Sequence, residues 1–381
     1  MSLGLYIHLP FCASKCLYCD FNSQVYAQEL QSLYVKALLK EMRYYAEDDY
    51  IKHNLISTVF IGGGTPTFIA RDLLFKIMAE VEELFQLSEN VEWSMEANPG
   101  TIDLALLQEL RKLGLNRISL GVQSFDSVLL KRLGRSHSAL QAETAVLHIK
   151  QAGFTNFNLD LMYGLPGQSL AIYYDTLQQA IDLQPTHLSL YGLQVEEGTP
   201  FGILFEQGQL ELPDEDEHLA MIDLSHDLTQ KAGFNHYEIS NYAKTGHSCQ
   251  HNLIYWHNLE YVGIGAGAYS YLKKHRYGHI ASAKAYVEHW GNSNLPLIED
   301  DELLDMELEC AETLMLGFRL LEGVDTSEIE RRFMINFEHK YGMILEDLLK
   351  RGLIEKAGSL LRLSTKGLPL ANVVCGAFLP D

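Results

Sequence analysis

Basic residues are scarce in this chain. It carries 29 Lys and Arg against 50 Asp and Glu, a formal charge of −21 at pH 7, which argues against partners such as nucleic-acid phosphates or anionic membrane that need clustered cations. Cysteine is scarce too. Of six in 381 residues, Cys249, Cys310 and Cys375 stand alone, so no disulfide framework is implied and these three read as free thiols or small core residues of a reducing compartment. No apolar run approaches the ~18–20 residues of a membrane span, and the N-terminus lacks the basic-then-apolar pattern of a signal peptide. A cytoplasmic location is therefore expected. The glycine run Gly62-Gly63-Gly64-Thr65-Pro66 has no Gly-Lys-Ser/Thr after it, which excludes a nucleotide P-loop.

The remaining cysteines are concentrated. Cys12, Cys16 and Cys19 follow one another with the spacing C-x3-C-x2-C, directly after an apolar segment that reads as a β-strand. Such a loop can fold its thiolates around one centre. Three thiolates on a [4Fe–4S] cube leave one iron free to coordinate a small molecule, whereas four ligands would close a structural site. Two other readings share the spacing: a Cys3His zinc knuckle completed by His8, and three unrelated buried cysteines.

With 47% hydrophobic and 21% charged residues the chain is globular, and its length exceeds what one ordinary core absorbs. One large domain and a smaller one are expected. Strand patterns at 3–8, 57–61, 91–96, 117–122, 156–162 and 187–192 alternate with amphipathic helix patterns at 28–46, 71–85, 103–113, 139–152 and 170–183, with Ser138 and Ser169 as N-caps. This βα rhythm predicts parallel strands, either doubly wound or as an open or partial (β/α) barrel. In both, ligands collect at the C-terminal ends of the strands. Glu96, Gln123, Asp160 and the glycine loop fall there.

Beyond residue 192 the pattern changes. A helix at 213–233 and a strand at 236–239 precede His251-Asn252-Leu253-Ile254-Tyr255-Trp256. A histidine among aromatics suits either a flat, iron-containing ligand or a hydrogen-bonded place in an aromatic core. Helical patterns from about 299, at 326–333 and at 341–350, then lead into a hairpin turning at Ala357-Gly358-Ser359. The organisation expected is 1–235 as the (β/α) domain, 236–298 as an extension carrying the His251 segment, and 299–381 as a smaller α+β, winged-helix-like domain.

The spacing C-x3-C-x-aromatic-C, with Tyr18 before the last cysteine, resembles the signature of the radical S-adenosylmethionine (SAM) superfamily. In that family the open iron binds the amino and carboxylate groups of SAM, and an electron from the cluster cleaves SAM to a 5′-deoxyadenosyl radical. The resemblance covers most of the chain: Tyr6-Ile7-His8-Leu9-Pro10-Phe11-Cys12, the Gly62–Pro66 loop, Glu96-Ala97-Asn98-Pro99, Gly121-Val122-Gln123-Ser124-Phe125, Gly134-Arg135, Asp160-Leu161-Met162-Tyr163-Gly164-Leu165-Pro166-Gly167 and Gly198-Thr199-Pro200-Phe201 are similar to the branch of coproporphyrinogen dehydrogenases and haem chaperones. It implies a partial (β/α)6 radical SAM barrel, a [4Fe–4S] cluster on Cys12, Cys16 and Cys19, and SAM contacts from Tyr6, Tyr18, Gly63, Gly64, Thr65, Glu96, Gln123, Arg135 and Asp160. His251, Tyr255 and Trp256 resemble the H-N-x-x-Y-W motif of the chaperone subgroup and would bind haem.

Within the branch, the dehydrogenase signature resembles C-x3-C-x2-C-x-C, and Phe21 stands at the place of its fourth cysteine. The first strand also begins at once, without the N-terminal extension of the dehydrogenase. The expectation is a haem chaperone using a [4Fe–4S] cluster, SAM and haem, with oxygen-independent coproporphyrinogen III dehydrogenase as the alternative. The resemblance implies as partners haem and recipient apo-haemoproteins, peripheral contact with membrane-bound haemoproteins, a homodimer and no nucleic acid. It names no catalytic residue and leaves open whether SAM is cleaved productively.

Overall fold

The computed structural model describes residues 2–380. Six strands, β1 (Ser2–Leu9), β2 (Leu55–Gly63), β3 (Leu87–Ala97), β4 (Arg117–Gln123), β5 (Asn156–Tyr163) and β6 (His187–Gly192), alternate with the helices Gln28–Ala46, Arg71–Leu84, Leu104–Lys112, Ala139–Gln151 and Leu170–Asp182. They pair in chain order, each parallel to the next. Asp103, Ser138 and Ser169 start their helices by accepting a backbone amide on the side chain, as N-caps do.

Strands covered on both faces usually read as continuous apolar runs. These alternate. Leu3, Leu5, Ile7 and Leu9 of β1, and Leu188 and Leu190 of β6, are buried in the main core with the helices. The intervening positions are polar and bond to one another across strands. Asn158 Nδ2 donates to Ser119 Oγ at 2.8 Å, His187 Nδ1 lies 2.7 Å from Asn158 Oδ1, and Ser119 Oγ donates to Asp160 at 3.2 Å. The second face of the sheet is therefore hydrophilic and carries the candidate site.

The strands β7 (Asn235–Glu238), β8 (Asn241–Ala243), β9 (Tyr261–Ile264), β10 (Tyr269–Leu272), β11 (His275–His279) and β12 (Ile298–Leu303) extend this into one 12-stranded sheet of order β12-β11-β10-β9-β1-β2-β3-β4-β5-β6-β8-β7. β9 runs parallel to β1, while β8 pairs antiparallel with β6. The segment 236–298 thus adds strands to both edges of the main sheet, and the expected 298/299 boundary falls inside β12. Charged edge strands resist pairing with other chains, and β12 presents Glu299, Asp300, Asp301 and Glu302 exposed.

The C-terminal unit has its own core, in which Phe318, Phe333, Phe337, Tyr341, Leu348 and Leu361 are buried. Helices Met306–Gly317, Thr326–Phe333 and Phe337–Lys350 pack beside β13 (Val324–Asp325), β14 (Ile354–Ala357) and β15 (Leu360–Leu363), ordered β13-β15-β14. The β14–β15 hairpin turns at Gly358, whose φ of +66° favours glycine. Arg332 ties this unit to the sheet by donating to the carbonyl of Asn258 at 3.2 Å, while its pair with Glu309 at 3.1 Å holds it within the unit.

One buried carboxyl fixes the loop after β9. Glu41, on the helix Gln28–Ala46, accepts on Oε2 from the Gly265 amide at 2.8 Å and from the Tyr286 hydroxyl, and Oε1 lies 3.1 Å from His279 Nδ1. Burial pushes Glu41 up to about 8 and His279 down to about 4. Near neutrality the pair is a carboxylic acid and a neutral imidazole, with Oε1 making no hydrogen bond among the described residues.

An unfolded Glu loses its proton near 4.3, whereas folded Glu41 keeps it to about pH 8. Unfolding therefore releases a proton between these values, and the contribution of Glu41 to stability is lost as pH rises through that window. Gln at this position keeps the shape and supplies an N–H in place of the acid proton. Thermal melts of Glu41→Gln should show a shallower fall in Tm from pH 5 to pH 8 than the parent; parallel curves would refute the protonated carboxyl.

Candidate functional site

The cysteine loop is held by backbone before any side chain is considered. The Gln24 amide donates to the Pro10 carbonyl at 3.0 Å and the Cys12 amide to the Gln24 carbonyl at 3.1 Å, closing the loop on itself. The Gly64 and Thr65 amides donate to the Leu9 and Phe11 carbonyls at 2.9 and 2.8 Å, zipping it to the glycine loop. A Cβ on Gly64 would lie 2.6 Å from the Phe11 oxygen and 2.9 Å from Cys12 Sγ, so the two loops meet only because this residue has none. Leu17 donates its amide to the Leu133 carbonyl and accepts from the Phe201 amide, and Leu17 and Tyr18 pack on the small cluster of Leu129, Leu133, Met162, Leu165 and Phe201.

The three thiols gather on this support. Burial, and then the neighbouring Cys16 and Cys12, push the Cys19 thiol up. Cys12 is buried while Cys16 and Cys19 are half-buried, which does not fit three separate core cysteines. A zinc knuckle does not fit either. His8 has both ring nitrogens engaged, Nδ1 with Tyr6 OH at 3.0 Å and Nε2 with the Asn22 carbonyl at 2.8 Å, and among the described residues no three His, Cys, Asp or Glu side chains converge as a single metal ion would need. A four-iron cube is wider than one ion and asks for no such convergence.

At the strand ends, Gly63 has a φ of +116°, and a Cβ there would lie 2.7 Å from His8 Cε1. Its amide donates to Glu96 Oε2 at 2.9 Å. Burial and the charge of Asp160 push Glu96 up to about 8, and burial raises Asp160 despite its bonds from Asn158 and Ser119. Glu96 is raised with no cation to offset it, and an ammonium group would supply one. Gln123 follows a β-bulge and has a φ of +66°. For a residue other than glycine this is a strained backbone of the kind that re-aims a side chain at a functional site. Arg135 points back to the cysteines, with Nη1 3.4 Å from Cys16 Sγ.

Beside these residues lies a cavity of 370 Å³ whose walls include Tyr6, His8, Gly63, Glu96, Tyr255 and Tyr269. His251 does not line it. It is 1% exposed, its Nδ1 is 2.7 Å from Thr58 Oγ1 and its Nε2 is 2.8 Å from Tyr255 OH, and burial pushes its pKa down to about 3. Both ring nitrogens of His251 are engaged inside the fold. The Arg319 guanidinium of the C-terminal unit lies over the Trp256 ring at 4.6 Å. Of the three aromatic residues expected at haem, Tyr255 alone faces the cavity.

Residues 6–180 match the Radical SAM superfamily and residues 307–370 the HemN C-terminal domain. Among curated relatives, the haem chaperone HemW of Bacillus subtilis is 35% identical over 99% of both chains, and that of Lactococcus lactis is 34% identical over 99% of this chain and 97% of the relative. HemW of Escherichia coli is 43% identical over 70% of this chain and 69% of the relative. The chain belongs to the HemW family. Its fold is also that of coproporphyrinogen III oxidase, HemN, from Escherichia coli, with a TM-score of 0.87 at 23% identity over 99% of this chain and 90% of the other.

HemW proteins are radical SAM proteins, a superfamily whose cofactors are a [4Fe–4S] cluster and SAM. The site fits them. Three thiols share one loop with hydroxyl and guanidinium donors aimed at two of the sulfurs, and the strand ends offer in Glu96 a carboxyl with no cation to offset it. Asn98, part of the Glu96-Ala97-Asn98-Pro99 motif but not among the expected site residues, holds both donors through its amide: Nδ2 donates to Thr65 Oγ1 at 3.0 Å, and Oδ1 accepts from Arg135. Its position at the end of β3, where ligand-contacting residues fall, was the available signal. For His251 the outcome is a structural one. His251→Ala should destabilise the fold by ~1–3 kcal/mol, through the cavity and the unpaired Thr58 and Tyr255 hydroxyls; chemical denaturation showing unchanged stability would contradict its burial.

Proposed function

We propose that this chain is a haem chaperone. Cys12, Cys16 and Cys19 hold a [4Fe–4S] cluster, SAM lies over Gly63, Gly64, Glu96, Gln123 and Asp160, and haem is carried at the adjoining tyrosine-lined cavity to recipient apo-haemoproteins. The observation that carries this reading is identity to chaperones named HemW through both the sheet and the C-terminal unit, at 35% over 99% of the chain. The likeness to HemN supports the fold alone, and Phe21, in place of the fourth cysteine of the dehydrogenase signature, is 63% exposed at the cavity wall.

Cluster and SAM together supply one-electron chemistry. The chain's part is to hold and orient. Glu96 and Asp160 present negative charge to the ammonium of SAM, and the glycines let it approach the backbone. At the cavity, Tyr6, Tyr255 and Tyr269 offer aromatic faces to a flat macrocycle. Tyr255 also offers an oxygen, a known type of haem ligand, braced by His251 Nε2 at 2.8 Å. A cytoplasmic location, a homodimer and recipients that include membrane-bound haemoproteins met peripherally belong to the same proposal; among the described residues no helix is long and apolar enough to cross a membrane.

One anaerobically reconstituted preparation tests the reading. The parent should take up haem without consuming coproporphyrinogen III. Tyr255→Phe should bind haem roughly tenfold more weakly, a loss of about 1.4 kcal/mol, and shift the Soret band. Coproporphyrinogen loss without haem binding would move the protein to the dehydrogenase class.

A further inference from the structure

The three cysteine sulfurs are not equivalent. Thr65 Oγ1 donates to Cys12 Sγ at 3.8 Å, and Arg135 Nη1 donates to Cys16 Sγ at 3.4 Å. Among the described residues no side-chain hydrogen bond of either kind reaches Cys19 Sγ. Both side-chain donors are fixed by Asn98. Its Nδ2 donates to Thr65 Oγ1 at 3.0 Å, which leaves the Thr65 proton for Cys12. Its Oδ1, together with the Gly121 carbonyl at 2.5 Å, accepts from Arg135 Nη2, which leaves Nη1 for Cys16. Only one orientation of the amide does both, because the nitrogen must face a hydroxyl oxygen and the oxygen a guanidinium.

Asn98 is itself held. It follows β3, its amide donates to Thr101 Oγ1 at 3.3 Å, and its carbonyl accepts from the Thr101 amide at 2.9 Å. A Cβ on Gly121 would lie 3.2 Å from Arg135 Nη2 and 3.3 Å from Asn98 Oδ1, so the fork sits directly over the bare backbone of β4.

We propose that Asn98 is a positioning residue that sets the reduction potential of the cluster, by aiming a neutral donor at Cys12 and a cationic one at Cys16. Hydrogen bonds and positive charge at a thiolate stabilise the reduced, more negative state of a cluster and so raise its potential. The inference rests on the cluster reading above.

The test is an EPR-monitored redox titration of reconstituted protein without SAM, with iron and sulfide counted on each sample. Thr65→Val should lower the midpoint slightly and Arg135→Gln more, since the latter removes a charge. Asn98→Ala should lower it through both. Asn98→Asp, nearly isosteric and so the safer variant for folding, should also lower it, because a carboxylate draws the Thr65 proton from Cys12 and neutralises Arg135. In a Thr65→Val, Arg135→Gln background, Asn98→Ala should add nothing further. Full cluster content with parental midpoints in both Asn98 variants would overturn the proposal, as would an equal effect of Asn98→Ala in the double-mutant background. A parent that takes up no iron would instead overturn the cluster reading.

Discussion

The site depends on two loops touching at backbone distance. A cluster on three thiolates needs those thiolates held at the open end of the sheet, yet the loop that bears them is connecting chain with little core of its own. Its anchorage is the pair of amide bonds from Gly64 and Thr65 to the carbonyls of Leu9 and Phe11. That contact allows no Cβ at Gly64, and a side chain at Gly63 would meet the His8 ring. His8 in turn holds the far end of the cysteine loop through the Asn22 carbonyl, and Asn22 Nδ2 donates to the Ala266 carbonyl at 3.0 Å in the loop that Glu41 pins. The glycines, the imidazole and the buried acid therefore act on one object, the placement of Cys12 to Cys19 over the strand ends.

Electrostatics gives that place its selectivity. In a chain with net charge −21, Arg117 and Arg135 are placed below and beside the strand-end carboxylates. Arg117 is 2% exposed, and its charge holds Asp160 lower than burial alone would. Burial and the charge of Asp160 push Glu96 up to about 8, with no such cation to offset them among the described residues. A ligand with an ammonium group would draw Glu96 back to its charged form, so binding such a ligand should take up no net proton and release some near neutral pH. An anionic ligand would find Arg135 already committed to Gly121, Asn98 and Cys16.

Much of this was legible in the sequence where burial dictates a period. The six βα units appear because each strand must bury alternate residues against a helix, and the strand-end rule then singles out Glu96, Gln123 and Asp160. The strands β9 to β11 were missed because Tyr261–His279 is rich in Tyr, Gly and His, and its register is set by pairing with β1 and with itself rather than by an apolar alternation. β12 was missed because its sequence Ile-Glu-Asp-Asp-Glu-Leu reads like an acidic helix start. Asn98 escaped for another reason: hydrogen bonds to residues 33 and 37 positions away in the chain leave no local pattern.

The helix Gln250–Trp256 joins three parts of the fold. Its start is capped by Glu92, which accepts from the Gln250 and His251 amides at 3.1 Å. His251 bonds to Thr58 in β2, Tyr255 faces the cavity, and Trp256 lies under Arg319 of the C-terminal unit. His251 and Tyr255, four apart, share one face of the helix and bond to each other at 2.8 Å, whereas Trp256, five from His251, falls on another. The helix is a joint between the floor of the sheet, the cavity and the C-terminal unit, with Tyr255 as the member turned to the cavity. On that account, mutations of His251 and Trp256 report first on the integrity of the joint, and they reach the cavity through the displacement of Tyr255.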